Sequence, residues 1–103
     1  MDPDDSDLWL LGAAYFHQDW RLFDTDADGV VRRFIRQEGL ESAAHAEVEI
    51  AMLLGRGPSE ADLARLWTTD LKARWDPTRH GMTYRQWFDH VAHLLTSSAP
   101  PTA

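Results

Sequence analysis

A chain of 103 residues with 44% hydrophobic content is one domain with one small core, and it excludes intrinsic disorder as the organising state. With no cysteine, disulfides and thiol redox chemistry are excluded, and a metal site could be built only from His, Asp and Glu. The net charge of -7 is gathered at one end, where residues 1 to 29 hold Asp2, Asp4, Asp5, Asp7, Asp19, Asp24, Asp26 and Asp28 against Arg21 alone, which argues against phosphate-binding chemistry.

Ser6 is placed to cap a first helix over about Asp7 to His17, with Leu8, Leu11 and Tyr15 on one face and Trp9 and Phe16 beside it. A second helix is expected from about Asp28, where Val30, Val31, Phe34 and Ile35 recur at helical spacing and Gly39 supplies a stop. Its other face carries Arg32, Arg33 and Arg36. A third is expected over about Glu41 to Leu54, with Leu40, Ala44, Val48, Ala51 and Leu54 as its apolar stripe and Gly55 and Gly57 as its end. Ser59 with Asp62 three residues on is a capping-box variant that starts a fourth, short helix carrying Leu63, Leu66 and Trp67. Residues 70 to 82 read as irregular, because Asp76-Pro77 disfavours helix and Gly81 permits a turn.

Thr83 and Gln86 form a full capping box for the last helix, in which Tyr84, Trp87, Phe88, Val91, Leu94 and Leu95 give the clearest amphipathic pattern of the chain. The expectation is therefore an all-α fold: a single small bundle of about five helices with short loops over residues 1 to 95, followed by a flexible tail at 96 to 103. Most of Trp9, Trp20, Trp67, Trp75 and Trp87 are expected to anchor that core. No window reaches the roughly 20 apolar residues of a membrane span. The acidic start Met1-Asp2-Pro3-Asp4-Asp5 is unlike a signal peptide, so the expected location is the cytoplasm.

Few arrangements carry chemistry. Asp24-Thr25-Asp26-Ala27-Asp28-Gly29 copies the first half of a calcium-binding loop, but Ile35 stands where a bidentate glutamate belongs and Arg32 where a polar ligand belongs. The favoured reading is a helix N-terminus, whose carboxylates cap amides and face the positive end of the dipole; a divergent calcium-binding protein is the alternative. His90 and His93 have a spacing that can serve a metal, yet Asp89 points elsewhere and His80 lies beyond a turn. The serines at 6, 42, 59, 97 and 98 lack a nucleophile elbow, and Gly55-Arg56-Gly57-Pro58 lacks the Lys of a phosphate loop. Glu47 and Glu49 fall on different faces of one helix and read as solvated. No enzyme and no cofactor is expected.

The densest feature is Tyr15-Phe16-His17-Gln18-Asp19-Trp20, three aromatics enclosing a polar triplet. From the residues alone, the aromatics fill the core and His17, Gln18 and Asp19 satisfy backbone groups where the helix ends, a role in scaffold before binding. This block, followed by an acidic turn, by Val30-Val31-Arg32-Arg33-Phe34, by Glu49-Ile50-Ala51-Met52-Leu53-Leu54 and finally by Tyr84-Arg85-Gln86-Trp87, resembles a family of bacterial immunity proteins of contact-dependent growth inhibition, over about residues 8 to 95. The resemblance implies a small helical protein that binds and neutralises the toxic C-terminal domain delivered between neighbouring bacteria, without turnover. Many such toxins are nucleases with cationic clefts, so a cognate basic toxin domain is the expected partner, and neither nucleic acid nor membrane is. The residues expected at the contact are Asp19, Asp24, Asp26 and Asp28, with Glu47 and Glu49 next, while Tyr15, Phe16, His17, Gln18, Asp19, Trp20, Tyr84, Arg85 and Trp87 mark the family.

Overall fold

The computed structural model describes residues 6–17 and 26–97. The first helix, α1, spans Asp7–Leu10 and continues as a π-helical turn over Leu11–Tyr15. The Ser6 side chain accepts a hydrogen bond from the Trp9 N–H at 3.0 Å, as its sequence position requires of a cap. Helix α2 covers Ala27–Glu38 and α3 covers Leu40–Gly55. They are separated by Gly39 alone, whose φ of 93° is a conformation that L side chains rarely adopt. The fourth helix, α4, spans Glu60–Arg65, runs into a second π-helical turn over Leu66–Asp70, and is followed by a 3₁₀ turn at Pro77–His80. Helix α5, Tyr84–Ser97, closes the bundle and shares its widest contact with α3. Among the described residues no strand forms, so the fold is all-α.

The capping predictions hold at both boxes. Ser59 and Asp62 exchange hydrogen bonds at 3.1 and 3.2 Å. Thr83 and Gln86 do so at 2.9 and 3.0 Å. The second helix starts one residue earlier than expected, because Asp26 is the N-cap and accepts the Gly29 N–H at 2.7 Å. Within the stretch read as irregular, Pro77 opens a 3₁₀ turn whose Asp76 cap accepts the Thr78 N–H at 2.9 Å.

The third helix corrects the sequence reading. Its buried face is Ala43, Ala46 and Ile50, with Leu53 and Leu54 partly buried, whereas Leu40, Ala44, Val48 and Ala51 face outward. The helix is apolar around most of its circumference, so spacing alone admits two stripes. Packing selects the one with alanines at its centre, since small side chains let the helices approach closely, and the larger residues are left outside.

The two π-helical turns meet. A β-carbon on Gly12 would lie 2.7 Å from Leu71 Cβ and 3.0 Å from the Leu71 carbonyl oxygen, so this glycine is set by the closeness of the two segments. Each wide turn is closed by a hydrogen bond from the sixth residue to the first, Phe16 N–H to Leu11 O at 3.1 Å and Leu71 N–H to Leu66 O at 2.7 Å. A bond from the Arg74 N–H to the Phe16 carbonyl at 2.7 Å then ties the two ends together.

Candidate functional site

The aromatic block ends α1 inside the core. Phe16 is fully buried, with ring centroids 5.2 Å from Trp67, 5.7 Å from Trp87 and 6.2 Å from Trp75. The nearly perpendicular Phe16–Trp87 pair and the steep Phe16–Trp67 pair match the quadrupoles of the rings. Tyr15 sits edge-on to Phe34 at 5.3 Å, with the Arg33 guanidinium 5.1 Å from its ring centre. Its hydroxyl donates its one proton to Glu38 at the end of α2, with the Gln37 side-chain amide 2.9 Å away. Burial first, and then the Glu38 carboxylate that accepts the proton, push the Tyr15 hydroxyl up to about 12. His17 is partly buried, while Gln18, Asp19 and Trp20 lie outside the described residues.

The second block builds the other end of the same core. Trp87 is buried with its ring centroid 4.3 Å from that of Trp75 and 5.6 Å from that of Trp67, and Trp67 donates its indole N–H to the Trp75 carbonyl at 2.8 Å. Tyr84 and Arg85 lie in the first turn of α5, and the carboxylate of Glu60 accepts both of their backbone N–H groups, at 2.8 and 2.9 Å. No local spacing points to Glu60, which sits 24 residues from Tyr84 and meets the start of α5 only through the tertiary fold. Tyr84 also reaches Asp76 at 3.5 Å. Burial and then the Asp76 charge raise its hydroxyl above the ordinary tyrosine value, while the hydrogen bond from Thr78 leads the effects that lower Asp76.

The acidic candidates separate into different jobs. Asp26 is exposed and caps α2, and Asp28 in the first turn lies 2.8 Å from His90 Nε2. Asp28 thereby joins the start of α2 to α5, a pairing across 62 positions that spacing could not reveal. Asp19 and Asp24 lie outside the described residues. Glu47 is partly exposed on α3. Glu49 departs from the solvated reading: its carboxylate accepts the Ser6 hydroxyl at 2.7 Å and the Leu8 N–H at 3.0 Å, capping α1 from another helix. Among the described residues no three His, Asp or Glu side chains converge as a metal-holding group. The second half of the calcium-like loop is helix α2, in which Ile35 is buried.

Two depressions lie among the described residues. A groove of about 460 Å³ runs between α1, α3 and the π-helical turn after α4, with Trp9, Met52, Leu53 and Leu66 among its walls. A more polar cleft of about 350 Å³ lies over Arg74, Trp75, Asp76 and His80, where the His80 ring stacks on Trp75 at 5.1 Å. Carboxylates bound to helix ends and aromatics bound to the core hold together a small helical protein. The chain belongs to the CdiI immunity protein family, whose model matches residues 6–95, and it is a toxin-neutralising immunity protein. In fold it is similar to a chain in the crystal structure of the CdiA-CT/CdiI complex from Y. kristensenii, with a TM-score of 0.82, at 20% identity over 86% of this chain and 95% of that one. No curated protein matches the sequence. Among the described residues no helix is long and apolar enough to cross a membrane.

Proposed function

We propose that this protein neutralises its toxin by stoichiometric occlusion in the cytoplasm, without turnover, and that the toxin is a cationic C-terminal domain of the CdiA-CT kind. The observation that carries the reading is the family match over residues 6–95, and the similar fold crystallised in a CdiA-CT/CdiI complex supports it. The charge distribution supports the sign of the partner. Asp26 caps α2 by accepting the Gly29 N–H and Asp28 lies against His90 Nε2, and both carboxylates add to the acidic field at the start of α2. In the sequence, Asp19 and Asp24 add two further carboxylates close to these. Glu47 adds to it from α3, whereas the capping contacts of Glu49 argue for a structural duty.

The test is a titration of the CdiA-CT-type toxin domain whose toxicity this chain suppresses on coexpression. Toxicity should vanish at one immunity protein per toxin, and full protection at a small fraction of that ratio would mean turnover and refute occlusion. Steering is read separately. Asp26→Asn with Asp28→Asn keeps a cap and an acceptor for His90, and it should slow association at low salt with a flatter salt dependence.

A further inference from the structure

The outward face of α3 is apolar where a solvated helix should be polar. Leu40, Val48 and Met52 are 46%, 53% and 59% exposed, and Ala44 and Ala51 stand among them. These five residues fall within about 120° of arc, a stripe along most of the helix that Glu41 alone interrupts. The opposite face is consumed by the core, so the stripe contributes nothing to the bundle. Met52 also forms part of the apolar groove between α1 and the turn after α4, so stripe and groove are one surface with a recess at its end. Scattered exposed hydrophobics are ordinary, but a contiguous patch with a recess marks an interaction site.

Charge decides what fits it. Helix α3 contains Glu41, Glu47 and Glu49 and neither Lys nor Arg. Glu49 is held in the α1 cap, which leaves Glu41 exposed within the stripe, Glu47 at its edge, and Asp70 sharing the groove with its single exposed cation, Arg56. A second copy of this chain docking here would set an acidic border against an acidic border, which disfavours self-association. A partner with an apolar ridge flanked by Lys and Arg meets both features.

Resting on the reading of a cationic toxin domain, we propose that the outward face of α3 from Leu40 to Met52, with the groove beside Met52, is the surface on which that domain docks. The toxin seats an apolar side chain in the groove and pairs its basic rim with Glu41 and Glu47. This places the specific contact on a helix face that the acidic turn at 24 to 28 does not include.

The test measures binding of the same toxin domain, in an inactivated form, to the full chain and to Val48→Arg and Val48→Glu. Val48→Arg should weaken binding by roughly 100-fold and Val48→Glu clearly less, with both variants melting as the wild type does because the site is exposed. Wild-type affinity in Val48→Arg, beside a wild type that binds, overturns the surface and leaves the toxin reading standing. Failure of the wild type to bind overturns both. Equal losses in the two variants overturn the basic rim. A wild-type dimer in sedimentation that Val48→Arg dissociates assigns the face to a second copy. A melting point several degrees lower assigns it to a segment of this chain.

Discussion

Glu49 separates a toxin contact from a structural cap. Its carboxylate takes the Ser6 hydroxyl and the Leu8 N–H on a single oxygen, at 2.7 and 3.0 Å, and so fixes the start of α1 on α3. Hydrogen bonds to a charged acceptor contribute about 1.5 to 3 kcal/mol each when well shielded, and these are only partly buried. Glu49→Ala should therefore cost about 2 kcal/mol, with the helix dipole included. For a domain of this size that lowers the melting temperature by roughly 8 to 16 °C. Glu49→Gln retains an oxygen acceptor and loses only charge assistance, so about 0.5 to 1 kcal/mol is expected. Far-ultraviolet circular dichroism melts and urea titrations of the three proteins read the difference. Glu49→Ala melting within a degree of wild type, while losing toxin affinity, would make this residue a contact and refute the capping argument. Equal damage from Gln and Ala would show that the charge, not the accepting oxygen, dominates.

Gly12→Ala drives a methyl group into Leu71 Cβ and its carbonyl, and should cost about 1 to 3 kcal/mol by denaturant unfolding, with little effect from alanine at the exposed Gly55. Phe16→Ala removes the ring between three tryptophans and should cost about 3 to 5 kcal/mol, which is read in the same titration. Raising the Tyr15 hydroxyl to about 12 means that the folded state holds this proton more tightly than the unfolded chain does. Its contribution to stability is therefore complete below about pH 10, the unperturbed value. It is lost as pH rises toward about 12, and tyrosinate absorbance should show both tyrosines titrating above the ordinary value, with one of the two steps removed by Tyr15→Phe.

How far the sequence predicts the structure depends on where each partner lies. Ser6, Ser59 with Asp62, and Thr83 with Gln86 were readable because a cap and its amide are three residues apart. Helix α5 was readable because its polar and apolar faces differ sharply, whereas α3 has too little contrast and its stripe was assigned to the wrong side. The bonds from Glu49 to Ser6, Glu60 to Tyr84 and Asp28 to His90 join positions far apart in the chain, and no local spacing encodes them. The π-helical turns stayed hidden for a related reason. An extra residue per turn is a tertiary fit, here enforced where Gly12 meets Leu71.

This division explains why the aromatic block identifies the fold so well and the partner so poorly. Tyr15 and Phe16 bind α1 to α2 and to the tryptophans of α5 and of the π-helical turn after α4, so their identities answer to neighbours within the chain. Two chains can share such a fold at a TM-score of 0.82 with 20% identity, because a core tolerates apolar substitution at matched volume and an exposed face tolerates far more. The exposed face of α3 answers to none of those constraints, as Leu40, Val48 and Met52 could become Lys or Gln without loss to the core. Stability therefore does not account for their apolar character. On the docking proposal a specific partner does, and substitution there should change which toxin is bound while leaving the bundle intact.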